Sequence, residues 1–229
     1  DNFLYHEMMS HPVMFTHPDP QRVVIIGGGD CGTLREVLKQ PTVKQVSQID
    51  IDERVTRLAE RYFPELCDAN DDPRAELRFI DGINWMQEAE AGSIDVIIVD
   101  STDPIGPGEV LFSEAFYRAC HEALATDGLL VQQSESPLIH EPLLARMADD
   151  MQAAGFGAVR TLTFPQPVYP SGWWSATMAA RGADFPAARY AAMEALDDMR
   201  YFNRAIFDGA FAVPQFLARQ ASEPPSRSG

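Results

Sequence analysis

RVVIIGGGDCGTLREV, residues 22–37, decides the fold. VVII is a β-branched run without polar alternation, the pattern of a strand buried on both faces. GGGDCG (27–32) then matches G-x-G-x-x-G, and LREVLKQ (34–40) reads as a helix. A strand, a glycine loop and a helix in this order aim backbone N–H groups at a ligand that the missing side chains allow to come close.

The same alternation continues along the chain. QVSQIDI (45–51), ELRFI (76–80), IDVIIV (94–99), GLLVQQ (128–133), AVRTLTF (158–164) and WWSATMAA (173–180) read as strands. ERVTRLAERYF (53–63), INWMQEA (83–89), SEAFYRACHEAL (113–124) and residues 140–154 read as helices. The pattern predicts an α/β fold, a doubly wound, mostly parallel Rossmann-like sheet with about seven strands. Residues 1–20 are predicted as an N-terminal β segment, 21–182 as the catalytic domain and 183–219 as a C-terminal helical extension packed on it. Residues 220–229 are predicted as a disordered tail.

The bulk numbers narrow the function classes. A chain of 229 residues with 45% hydrophobic residues suits a globular domain with a substantial core. Apolar runs fall short of a membrane span, so no membrane partner is expected. The net charge of −16 comes without a basic stripe, which argues against nucleic acid and suits cationic ligands. Cys31, Cys67 and Cys120 lack metal-ligand spacing, so no metal is expected, and unpaired thiols fit a cytoplasmic setting. The chain opens with Asp1 rather than Met, and a segment upstream of it is expected.

In open parallel sheets, ligands bind beyond the carboxyl ends of the strands. Asp30, Asp50, Asp81, Asp100 and Gln133 all follow or end predicted strands, so one rim collects them. Asp50 lies 18 residues beyond Gly32, where a carboxylate suits two ribose hydroxyls. Gly27 and Gly29 would let a nucleoside approach, and Asp81 with Gly82 could meet an adenine amino group. Asp30 separates two ligand classes. Against a dinucleotide diphosphate it would cost about 4 kcal/mol at 4 Å with an effective dielectric near 20. An adenosyl sulfonium carrying an amine would be attracted instead. A helix cap also explains Asp30 by itself.

DSTDPIGP (100–107) follows the IDVIIV strand and sets Asp100 and Asp103 on a loop stiffened by Pro104 and Pro107. A capped surface turn and a site for a charged amine both fit this pattern.

Taken in order, YHEM (5–8), IIGGGDCGTLREV (25–37), IDID (49–52), DDPR (71–74), IDG (80–82), VDSTDPIGPGEVLF (99–112), QQSESP (132–137), VYPSGWWS (168–175) and YFN (201–203) resemble the polyamine aminopropyltransferases, the spermidine synthase family. The resemblance runs from Tyr5 to Phe216, and it implies that the Rossmann-like sheet is of the S-adenosylmethionine-methyltransferase type. It implies aminopropyl transfer from decarboxylated S-adenosylmethionine, a co-substrate and not a bound cofactor, to putrescine, with release of spermidine and methylthioadenosine. It further implies that Asp100 activates the attacking amine and that Asp103 holds the diamine. Asp30 would hold the aminopropyl amine, Asp50 the ribose and Asp81 the adenine. Tyr5 and Tyr169 would line the reacting site, and His6 and Gln133 the substrate. A homodimer is the expected assembly.

The chain departs from the family pattern in several places. Cys31 replaces a glycine, Asp50 replaces a longer Glu, Ile80 stands where some relatives carry an acid, and Phe207 stands in place of a His. The family's small N-terminal β-domain is mostly absent. Two alternative activities remain compatible with the motifs: N-methylation of a diamine by S-adenosylmethionine, and aminopropyl transfer to a different di- or polyamine.

Overall fold

The computed structural model describes residues 1–104 and 106–220. Seven strands form one sheet: β1 (Arg22–Gly27), β2 (Gln45–Asp50), β3 (Ala75–Phe79), β4 (Ile94–Asp100), β5 (Leu124–Gln133), β6 (Ala158–Pro165) and β7 (Trp173–Ala180), in the order β3-β2-β1-β4-β5-β7-β6. β1 to β5 pair in parallel, and β7 runs antiparallel to both of its neighbours. The strand order reverses between β1 and β4, where Gly27 lies in register with Asp100. That junction is the crevice where sheets of this kind bind ligands.

Successive residues of β1 point to opposite faces. Val23 and Ile25 join one apolar cluster, Val24 and Ile26 the other. The first cluster is closed by α2 (Gly32–Leu38) and the second by α4 (Gly82–Glu88), α5 (Glu114–Ala123) and α6 (Glu141–Ala153). α3 (Glu53–Tyr62) follows β2 and buries only Thr56 and Ala59. Ser113 caps α5 by accepting the Phe116 N–H at 3.3 Å, and β5 starts at Leu124, directly after that helix.

The expected N-terminal β segment is instead a helix, α1 (Asn2–Thr16), buried from Tyr5 onward. A helix covered on all sides needs no apolar stripe, so the periodic signal is missing from its sequence. Pro12 in its interior also reads as a breaker. Several of its buried polar groups reach distant partners: Glu7 accepts three backbone N–H groups at 200–202, His11 Nε2 meets Glu36 at 3.0 Å, and Ser10 donates to the Thr33 carbonyl. Beyond β7 the described residues form three short helices, α7 (Tyr190–Glu194), α8 (Arg204–Ala210) and α9 (Gln215–Gln220). Arg189 ties this segment to α1 by donating to the carbonyls of His17 and Met14 at 2.8 and 2.9 Å. The tail SEPPSRSG lies outside the described residues.

Candidate active site

The glycine loop crosses the end of β4 so closely that side chains are excluded. A Cβ on Gly27 would sit 2.2 Å from the Asp100 carbonyl oxygen, and Gly27 has φ of 84°. The Gly28 N–H donates to that same oxygen at 2.8 Å. A Cβ on Gly29 would come within 2.8 Å of the Asp50 carboxylate, so the loop and the proposed ribose acid are neighbours. Cys31 holds φ of 67° with its thiol fully buried, a left-handed backbone that glycine adopts without strain.

Asp30 serves as a cap and as a site group together. One oxygen accepts the Gly32 N–H at 3.0 Å, and the other meets His6 Nε2 at 3.0 Å while facing the open rim. Burial pushes the Asp30 carboxyl up, but the His6 contact and the Gly32 N–H outweigh it and hold it below its usual value. Burial likewise disfavours the His6 cation, and Asp30 reverses that effect, leaving His6 raised.

Asp50, at the end of β2, accepts the Asp52 N–H at 2.9 Å and is raised, chiefly by burial and then by the Asp52 charge against partial relief from backbone N–H groups. Asp81 caps α4, accepting the Ile83 N–H at 2.8 Å. Gly82 opens that helix, where a Cβ would press within 2.9 Å of Ile26. Asp81 is therefore placed by the end of β3 and the first turn of α4, and its hydrogen bonds stay within that turn.

Asp100 is the centre of the cluster. Tyr5 donates its hydroxyl to one carboxylate oxygen at 2.7 Å, and Thr33 donates to the other at 2.6 Å. Burial raises the Asp100 carboxyl most and the Asp30 charge adds to it, while His6 and the two hydroxyls pull it back only in part. Tyr5 is raised well above a free phenol by burial and by Asp100, so it stays protonated and donating. Tyr5 meets Tyr169 edge-on at 6.1 Å, and Tyr169 packs on Trp174 at 4.5 Å between ring centres. Trp174 is buried, while Trp173 lies nearer the surface against Phe216.

Asp103 lies on the exposed loop after β4, three residues beyond Asp100. Its neighbour is Glu135, which is 3% exposed and has φ of 65°. Gln133 is buried at the end of β5 and donates to the Thr102 carbonyl and to Glu135, both at 3.4 Å. Burial first, and then the Asp103 carboxylate, push the Glu135 carboxyl up to about 7.

The structure thus brings Tyr5, His6, Asp30, Asp100 and Tyr169 into one contact network, with Gln133 and Asp103 linked through residue 135. Sequence reading missed Thr33 and Glu135. Glu135 had a usable signal, since it stands two residues past Gln133 within QQSESP. Thr33 had none beyond its place in the first turn after the glycine loop. Among the described residues no group of three or more His, Cys, Asp or Glu is arranged to hold a metal ion. No helix among them is long and apolar enough to cross a membrane.

A methyltransferase-like α/β sheet whose strand switch point gathers close-packed glycines and a cluster of carboxylates is the architecture of a group transferase. Residues 2–186 match the spermine/spermidine synthase domain family. A polyamine aminopropyltransferase of Methylococcus capsulatus is 67% identical over 95% of this chain and 76% of its own length. The corresponding protein of Thioalkalivibrio sulfidiphilus is 60% identical over 96% and 78%. A crystal structure of a spermidine synthase in complex with the transition state analogue AdoDATO superimposes with a TM-score of 0.91 at 37% identity, covering 96% of this chain and 75% of that one. Spermidine synthase from Thermotoga maritima gives a TM-score of 0.88 at 36% identity, with the same coverage. The chain belongs to the spermine/spermidine synthase family and is a polyamine aminopropyltransferase.

Proposed function

We propose that this enzyme transfers the aminopropyl group of decarboxylated S-adenosylmethionine to putrescine, giving spermidine and methylthioadenosine. The carrying observation is that two groups of acids act on Tyr169 beside Asp100: Asp30 with its His6 partner, and Asp103 with Glu135. The relative that binds AdoDATO supports the same reading. On this proposal, Asp30 holds the donor's primary ammonium, Asp50 the ribose hydroxyls and Asp81 the adenine edge, with Gly27, Gly29 and Gly82 leaving room for the nucleoside. Asp103, Gln133 and Glu135 receive the far ammonium of the diamine, and Tyr5 and Tyr169 wall the reacting carbon.

The sulfonium is already a good leaving group, so the acceptor sets the difficulty. A primary alkylammonium has a pKa near 10.4, and freeing its lone pair at pH 7 costs about 4.6 kcal/mol. Asp100 takes that proton, and its raised basicity narrows the mismatch. The amine nitrogen then attacks the aminopropyl carbon in line with sulfur. The C–N bond forms as the C–S bond breaks, and the bonding pair goes to sulfur, leaving a neutral thioether. Holding nitrogen, carbon and sulfur in line is the larger contribution of the site.

Free Cys31, Cys67 and Cys120 accord with a reducing, cytoplasmic setting. Calorimetry with decarboxylated and ordinary S-adenosylmethionine tests the reading. Preference for the decarboxylated form, with methylthioadenosine released on adding putrescine, is expected. Preference for the carboxylated form would instead indicate a diamine methyltransferase.

A further inference from the structure

We propose that Thr33 is a positioning residue for Asp100: its hydroxyl fixes one carboxylate oxygen, so that the remaining lone pairs face the attacking amine, and it fastens that carboxylate to the loop that carries the donor. The inference deepens the function proposed above and rests on Asp100 as the proton acceptor.

Thr33 stands in the first turn of α2, where a threonine hydroxyl ordinarily bonds to its own helix backbone. Here it reaches 67 residues along the chain to Asp100 Oδ2, at 2.6 Å. Thr33 is 0% exposed, so its hydroxyl needs a protein partner. The site is shaped to receive this bond. A Cβ on Gly28 would come within 3.1 Å of Asp100 Oδ2, and its absence keeps that oxygen accessible. Ser10 of α1 donates to the Thr33 carbonyl at 3.4 Å and helps to hold the turn in place.

An ionised carboxylate offers about four acceptor positions. Tyr5 from α1 and Thr33 from α2 take one on each oxygen. About two remain, and α1 and α2 close the sides from which the hydroxyls come. The charged and titratable groups facing Asp100 are Asp30 on the glycine loop, His6 and Tyr5 on α1, and Tyr169 on the loop before β7. Burial and Asp30 favour the neutral acid, whereas His6, Thr33 and Tyr5 favour the carboxylate. Removing the Thr33 hydroxyl therefore shifts Asp100 toward its protonated form and frees the carboxyl to rotate about Tyr5.

The test reads Asp100 directly, by 13C-carboxyl NMR titration of the free enzyme, with the resonance assigned by its loss in Asp100→Asn. In Thr33→Val the midpoint should rise by about one pH unit. kcat should fall about tenfold with the donor KM within about twofold of wild type. Thr33→Ser should restore both. Thr33→Ala, measured alongside, removes the same hydroxyl without placing a methyl group against Asp100, should Thr33→Val fold poorly. An Asp100 midpoint unmoved in both Val and Ala variants overturns the inference. A midpoint that rises while the acid limb of the pH–rate profile stays fixed keeps Thr33 as the partner of Asp100 and overturns Asp100 as the proton acceptor. The two readings therefore fail separately.

Discussion

The proposed donor side and the proposed acceptor side of the rim hold their acids differently. On the donor side Asp30, Asp50 and Asp81 each accept a backbone N–H, from Gly32, Asp52 and Ile83, and Asp30 also meets His6. These carboxylates are fixed by secondary structure before any substrate arrives. On the acceptor side Glu135 faces Asp103, and the pair retains a proton near neutral pH. The first group is therefore held by backbone, while Glu135 is held by side chains, the Gln133 amide at 3.4 Å and the His140 imidazole at 3.5 Å.

The boundary between the sides is Asp100, and its loss should have the largest effect. Asp100→Asn keeps the shape and removes the base, and kcat should fall roughly 10²- to 10⁴-fold. Methylthioadenosine release under saturating substrates measures it. Turnover within threefold of wild type would remove Asp100 from the proton transfer.

Next in size is the paired test of the two sides. Asp30→Asn should raise the donor KM, and Asp103→Asn the diamine KM, each roughly 10- to 100-fold, the range of a lost charge-assisted hydrogen bond. The other substrate's KM should change little in each variant. Crossed effects would break the division into donor and acceptor sides.

Glu135 gives the pH signature of the acceptor side. Its folded carboxyl titrates near 7, above the value of about 4.3 for an unfolded Glu. The folded state therefore holds this proton more tightly. Its stability contribution is complete below about 4.3 and is lost as pH rises toward 7. Diamine binding runs the other way, because the cation favours ionised Glu135. Affinity should weaken by up to about tenfold per pH unit below 7 and level off above it. Calorimetry of putrescine with methylthioadenosine present, in buffers of different ionisation enthalpy, should show proton release near pH 7. Glu135→Gln should abolish that release and stabilise the free enzyme at pH 8. Proton release that persists in this variant would locate the titrating group elsewhere.

The parts legible in the sequence share a physical cause. β1 and β4 carry unbroken apolar runs because both sheet faces are covered, and the rim acids follow from where strands end. α1 was illegible because its polar residues are satisfied by distant chain: Glu7 accepts the N–H groups of Arg200, Tyr201 and Phe202 at 2.7 to 2.9 Å. Local pattern carries no trace of such partners. Thr33 was missed for the same reason, since its acceptor lies on another strand. Glu135 differs, because alternation along the strand end already places it beside Gln133.

Cys31 should show the smallest effect and tests how rigid the donor side is. Its left-handed φ costs a side chain of order 1 kcal/mol, which glycine would avoid. Against that, Cys31→Gly loses a buried thiol close to Gln48 Nε2, at 3.7 Å, and frees the unfolded backbone. These effects oppose each other, so stability should change by less than about 1 kcal/mol, read by denaturant unfolding. The donor KM should stay within about twofold, because Asp30 is held by the Gly32 N–H and His6 rather than by the Cys31 side chain. A donor KM that moves tenfold while the diamine KM holds would mean that the loop geometry around Asp30 depends on the thiol, and that the donor side is less firmly set by its backbone bonds than those distances imply.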